Sequence, residues 1–114
     1  MFEVLHSKIH RATLTGADLN YEGSISISVD LIEKANMKPY QKVLIADLEN
    51  GNRFETYIIV ADTPNTFCVN GSAARMVHPG DKVIIMAFKF VDEIEDGYQP
   101  TVLLMNEKNE VYSG

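Results

Sequence analysis

Three things are scarce in this chain of 114 residues, and each absence excludes something. There is a single cysteine, Cys68, so no disulfide can close within the chain, which fits a reducing compartment. Positive charge is also short. Ten Lys and Arg stand against sixteen Asp and Glu, a formal net charge of −6. Phosphate backbones are held through Lys and Arg, so this balance argues against a nucleic-acid partner. It also means that a site for an acidic ligand must bring its own local cations. Long apolar runs are missing too. The opening MFEVLHSKIHRATL is interrupted by Glu3, His6, Lys8, His10 and Arg11, unlike a signal peptide, and nothing approaches the ~18 apolar residues of a membrane span. The expectation is a soluble, cytoplasmic protein with no membrane contact.

Familiar catalytic patterns are absent as well. The sequence has no Gly-rich phosphate loop and no G-x-S-x-G elbow. No metal site is expected, because His6 and His10 would share a strand face but stand about 13 Å apart along it. Cys68 alternates with Phe67 and Val69 and reads as a buried thiol.

What remains is a chain of ordinary globular composition, 46% apolar and 23% charged, sized for one domain over residues 1–114. Most of it reads as short strands. Segment 3–14 places Leu5 and Ile9 on one side and His6, Lys8 and His10 on the other. Segment 21–28 puts Ile25 and Ile27 on one face and Ser24, Ser26 and Ser28 on the other, the pattern of a half-buried strand. Residues 30–37 form the best helix, with Asp30 as N-cap, Glu33 completing a capping box and Pro39 beyond its end. Strands are expected at 42–48 and 53–61, joined by Asn50-Gly51 in a type I′ turn. Further strands are expected at 66–69, 82–91 and 101–105, with an acidic loop at 92–100 and a frayed tail after it. Many short strands with one or two short helices point to a mainly β fold, a small closed barrel that leaves no exposed edge.

Glu22-Gly23-Ser24 carries a chemical option. A serine hydroxyl can attack the preceding carbonyl and move the backbone from amide to ester. Elimination across that ester cuts the chain and leaves dehydroalanine, and hydrolysis then releases ammonia and leaves a pyruvoyl cap. Glycine before the serine suits this, since it tolerates unusual backbone and leaves the carbonyl open. Such a dipeptide is by itself an ordinary strand start.

The surrounding motifs raise its weight. Ser7-Lys8-Ile9-His10-Arg11-Ala12, Ala17-Asp18-Leu19-Asn20-Tyr21-Glu22-Gly23-Ser24-Ile25, Asn50-Gly51 with Arg53-Phe54 and Thr56-Tyr57, Val69-Asn70-Gly71-Ser72-Ala73-Ala74-Arg75, and Gly80-Asp81 with Val83-Ile84-Ile85 occur in this order. Together they resemble the aspartate 1-decarboxylases, pyruvoyl enzymes that make β-alanine for pantothenate. The resemblance runs from Leu5 to about Asn106. It implies a six-stranded double-psi β-barrel, a homotetramer with active sites between subunits, and cleavage into a β chain of residues 1–23 and an α chain of residues 24–114. In some members a maturation factor completes the cut.

The resemblance also implies roles. Ser24 supplies the covalent pyruvoyl group, which takes L-aspartate as a Schiff base and acts as the electron sink. Tyr57 matches the proton donor. Thr56, Gly71, Ser72, Ala73, Arg53 and Lys8 match substrate-binding positions, and His10, Tyr21 and Asn70 match supporting ones. Arg suits a forked carboxylate contact and Lys a compact charge. Thr56 and Tyr57 are consecutive, so a flat strand cannot aim both side chains at one site. The chain departs from the family at Ser72, where alanine is usual, and at Ala46, where some relatives carry a large aromatic. Two other readings are a decarboxylase of another small acidic amino acid and a non-catalytic β-barrel binding module in which Ser24 is ordinary.

Overall fold

The computed structural model describes every residue from Met1 to Gly114. Nine strands and two short helices follow in the order β1 (Phe2–Thr13), β2 (Gly16–Asp18), β3 (Ser24–Ser28), α1 (Val29–Lys34), β4 (Lys42–Asp47), β5 (Arg53–Ala61), β6 (Phe67–Asn70), a 3₁₀ helix (Gly71–Met76), β7 (Lys82–Val91), β8 (Thr101–Met105) and β9 (Val111–Ser113). Alternation decides which side chains turn inward. Ile9, Ile25, Ile27, Val43, Ile45, Ile58, Phe67, Val69, Val83 and Ile85 form the buried core, joined by Leu31 and Ile32 of α1. Each such side chain contributes about 1.5–3 kcal/mol by leaving water. No helix is long and apolar enough to cross a membrane.

The strands form one sheet in the order β2-β6-β3-β5-β4-β7-β1-β8-β9. The expected closed ring of six strands is therefore corrected. There are nine strands, and the terminal β2 and β9 do not pair with each other. Both are three-residue strands that the periodicity reading did not count. Three neighbouring pairs run parallel, β1 with β8, β2 with β6 and β3 with β5.

Local departures from the sequence reading have identifiable causes. Strand β1 is bulged between Leu5 and Ser7 and again between His10 and Ala12, where Arg11 has φ of 65°. A bulge shifts the alternation by one, so Ser7 joins Ile9 inside while Leu5 does not. The predicted half-buried strand is β3, and its serine face is covered as well: Ser24 and Ser28 are both buried. Helix α1 starts one residue early with Ser28 at the N-cap position, whose hydroxyl bonds Thr66 rather than the helix, and Asp30 sits in its first turn without capping it. Its end is a Schellman motif rather than a proline stop. Asn36 turns left-handed at φ 58°, its N–H bonds Glu33 O at 3.0 Å, and Met37 N–H bonds Ile32 O at 3.0 Å.

The Asn50-Gly51 link is not a type I′ turn, because only Gly51 has positive φ. Residues 48–52 make a longer loop in which Asn50 Oδ1 accepts from Asn52 N–H at 2.8 Å. The tail is not frayed. Strand β9 pairs with β8, and the buried Asn109 accepts from Thr13 N–H at 2.7 Å and donates to Thr13 O at 2.8 Å and Asn65 O at 3.2 Å.

Candidate active site

Strand β3 begins at Ser24, and its register against both neighbours builds the site. Against β6 it runs antiparallel with Ser24 opposite Asn70. Against β5 it runs parallel with Ile25 opposite Ile58, so one step back Ser24 stands beside Tyr57. Side chains opposite each other on neighbouring strands share a face. Asn70, Ser24 and Tyr57 thus lie in a row on the face away from the core.

The row opens into a pocket of about 380 Å³ lined by Tyr21, Glu22, Ser24, Pro39, Tyr40, Tyr57, Ile59 and Val60. Ser24 is 1% exposed. Its hydroxyl donates to Glu22 O at 3.1 Å and accepts from Asn70 Nδ2 at 3.0 Å. The same amide nitrogen donates to Ser26 Oγ at 2.9 Å, and Cys68 Sγ donates to Asn70 Oδ1 at 3.4 Å. Burial pushes the Cys68 thiol up, so it stays protonated and able to donate.

Gly23 is held from behind. Gly71 opens the 3₁₀ helix at φ 78°, and a Cβ there would lie 2.6 Å from Gly23 Cα and 2.8 Å from Gly23 N. Only a glycine permits this approach, on grounds of both space and conformation. A Cβ on Gly23 itself would meet nothing within 4 Å. The 3₁₀ helix is anchored in turn from the 48–52 loop, where Asn50 and Asn52 side chains both donate to Met76 O, at 2.9 and 2.8 Å.

Comparison with known proteins meets this geometry. The pattern of the family described as aspartate decarboxylase matches residues 1–112. The chain belongs to the aspartate decarboxylase family. It is 51% identical over 111 residues to the aspartate 1-decarboxylase of Clostridium botulinum (strain 657 / Type Ba4), covering 95% of this chain and 87% of that one. It is 50% identical to that of Helicobacter pylori (strain ATCC 700392 / 26695), covering 96% and 95%. It is 49% identical to that of Aliarcobacter butzleri (strain RM4018), covering 96% and 88%. Among solved structures, the computationally designed msDPBB_sym2 protein superposes with a TM-score of 0.50 at 16% identity, covering 75% of this chain and 99% of that one. This supports a double-psi-barrel-like fold and nothing about activity.

The residues that match the family's motifs divide into two groups. Ser24, Gly23, Tyr21, Tyr57, Asn70 and Gly71 are gathered at the pocket or its back wall. Lys8, His10 and Arg53 are not. Strand β1 is four strand steps from β3, on the order of 19 Å along the sheet. Arg53 begins β5, about 13 Å along the strand from Tyr57. Strand β5 has no bulge in its pairing, so Thr56 alternates away from Tyr57 and does not line the Ser24 pocket; it borders a shallow second pocket with Lys42, Glu55 and Tyr57. Ser72 is exposed and Ala73 packs against the core beyond Gly71.

Electrostatics divides the two groups as well. The Ser24 pocket has no Lys or Arg in its lining and holds Glu22. Neither Lys8 nor Arg53 is in an ion pair; the two bridges in the chain are Lys42–Glu55 at 3.0 Å and Lys82–Glu107 at 2.8 Å. His10 is held below the usual histidine range by burial and then by the charges of Lys8 and Arg11, which favours the neutral ring at neutral pH. Its Nδ1 is buried without a partner.

Three contributors escaped the sequence reading. Tyr40 stacks on Tyr57 with ring centroids 6.2 Å apart and 24° between planes, in a left-handed backbone at φ 68°. Its signal is an aromatic directly after Pro39, which means little until the 38–41 turn is known to face β5. Ser26 and Cys68 reach Asn70 only because β3 and β6 are neighbours.

Proposed function

We propose that this chain cuts itself between Gly23 and Ser24 and then decarboxylates L-aspartate to β-alanine and carbon dioxide, the step that supplies pantothenate synthesis. Membership of the family supports the activity, and argues against the inert binding module. The observation that carries the reading to particular residues is one buried serine that accepts from Asn70, shares a pocket with Tyr57 and follows a glycine packed against Gly71.

In the cleavage, Ser24 Oγ adds to the Gly23 carbonyl carbon and the C–N bond to Ser24 breaks, with the hydroxyl proton passing to the freed nitrogen. Loss of the Ser24 α proton then breaks the Cβ–O bond and releases the Gly23 carboxylate. Uptake of water and loss of ammonia leave the pyruvoyl group on residue 24. Asn70 N–H aimed at Oγ eases the loss of its proton, since hydrogen bonding to a charged form favours that form. A Cβ on Gly23 would meet nothing within 4 Å, so the residue before Ser24 is not crowded at its side-chain position.

The residues around Ser24 fit a small ketone. It would sit at the head of β3 against Asn70, in a pocket of about 380 Å³. When present it supplies the carbonyl that binds the substrate amine and draws off the electrons left by carbon dioxide. Tyr57 carries the hydroxyl placed to return a proton to the former α carbon, since a phenol O–H is a donor. Tyr40, Ile59 and Val60 line the pocket beside it.

A dicarboxylate needs cations that this pocket lacks. Lys8 and Arg53 are unpaired and on the same outward side of the sheet, flanking the half-buried Leu44, Ile84 and Met86. We assign them to the Ser24 pocket of a neighbouring copy, in keeping with a homotetramer whose sites lie between subunits. Thr56, His10, Ser72 and Ala73 join the site on the same terms. The double-psi barrel and the cytoplasm complete the reading. The test compares wild type with Ser24→Ala by intact mass and by carbon dioxide release from aspartate. Wild type should show two fragments and activity, and Ser24→Ala one chain and none. A Ser24→Ala chain with full turnover would refute the reading.

A further inference from the structure

The hydrogen bonds around Asn70 run in one direction. The Cys68 thiol donates to Asn70 Oδ1 at 3.4 Å. Asn70 Nδ2 donates to Ser26 Oγ at 2.9 Å and to Ser24 Oγ at 3.0 Å, and Ser24 donates onward to Glu22 O at 3.1 Å. This line of donors crosses from β6 to β3.

Direction matters because an amide has nearly the same shape after a half turn, while its two ends do opposite things. With N–H toward Ser24, the hydroxyl oxygen is relieved of charge as its proton leaves. With C=O toward Ser24, the oxygen meets a second acceptor and its proton is drawn away from Glu22 O. Asn70 is 3% exposed, so water does not correct the wrong choice.

Resting on the self-cleavage reading above, we propose that Cys68 and Ser26 are positioning residues that hold the Asn70 amide with its N–H group toward Ser24. Cys68 selects the orientation. Burial keeps its thiol protonated, and that proton is directed at Asn70 at 3.4 Å, so the group it meets there is the oxygen. Ser26 takes the second N–H of the same nitrogen, which would otherwise be buried without an acceptor. Neither side chain touches the bond that breaks. Both act through Asn70.

The experiment follows freshly purified precursor by intact mass, with thermal unfolding measured in parallel. Cys68→Ser keeps a donor and should cut within about twofold of wild type. Cys68→Ala removes it and should cut roughly tenfold slower, the rate equivalent of one ordinary hydrogen bond. Ser26→Ala should fall between them. A purely structural role predicts a lowered melting temperature with cleavage unchanged well below melting, and no rescue by serine. A Cys68→Ala precursor that cuts as fast as wild type, or a Cys68→Ser precursor as slow as Cys68→Ala, overturns the proposal alone. A wild-type chain that never cuts, like Ser24→Ala, overturns the cleavage reading and this proposal with it.

Discussion

Gly71→Ala isolates the brace behind the cleavage site. Two costs add. An alanine at φ 78° sits in the left-handed region, about 1–2 kcal/mol above its preferred backbone. Its Cβ would also lie 2.6 and 2.8 Å from Gly23 Cα and N, backbone atoms that cannot rotate away. Such overpacking costs about 1–3 kcal/mol. The sum is roughly 2–5 kcal/mol, or a fall of roughly 8–20 °C in melting temperature at about 4 °C per kcal/mol. The strain is relieved by moving Gly23, and a shift of about 1 Å in a reacting group can slow a reaction on the order of 100-fold. Gly51→Ala is the control. Its φ is 76°, and a Cβ there meets nothing within 4 Å, so it carries the backbone cost alone. The assay is thermal unfolding together with the rate of fragment appearance. If Gly71→Ala melts with Gly51→Ala and cuts at the wild-type rate, Gly71 does not brace Gly23.

Other outcomes follow from the same contacts. Tyr57→Phe should be cut normally and then turn over about 100-fold more slowly, read by steady-state decarboxylation. Asn109→Ala removes three bonds to Thr13 and Asn65 and should destabilise the chain by about 1–3 kcal/mol in a denaturant titration, although it lies in the tail. Asp47 and Asp81 give a pH signature. Asp47 is buried with its Oδ2 unpartnered, and burial and then the nearby Asp81 carboxyl raise it above the ordinary aspartate range, while Asp81 is lowered by its interaction with Asp47 and by the His78 N–H at 3.0 Å. A carboxyl raised in the fold holds its proton more tightly folded than unfolded, so its stabilisation is lost as pH rises through the raised value. Asp81, being lowered, loses its contribution on acidification. Asp47→Asn removes the buried titrating group and should flatten the fall in stability between the ordinary carboxylate range and neutrality.

The sequence was most legible where side-chain alternation alone decides structure. The bounds of β5, β7 and β8 fall where the apolar pattern begins and ends. Alternation failed in β1, because a bulge at His6 leaves no mark in the pattern and moves Ser7 to the inside. It failed again at Asn50-Gly51, where Asn50 folds its side chain onto Asn52 and Met76 instead of turning its backbone. The tail looked polar and loose because Asn109 is polar. Its three backbone bonds come from segments 44 and 96 residues away, and no local rule sees them. The site divides in the same manner. Gly23, Ser24 and Tyr57 are recognisable by motif, but their meeting depends on the parallel pairing of β3 with β5. Nothing in either strand announces that pairing. The distance of Lys8 and His10 from Ser24 was hidden for the same reason, since motif order says nothing of strand order.

The central claim is that the backbone at residue 24 becomes a ketone. Its most direct test is a hydrazine reagent added to the active protein, followed by intact mass. The account predicts a single label, carried by the fragment that starts at residue 24, which before labelling is lighter by one ammonia than the serine-ended peptide. An active preparation in which the full-length chain is uncut and takes no label would contradict it.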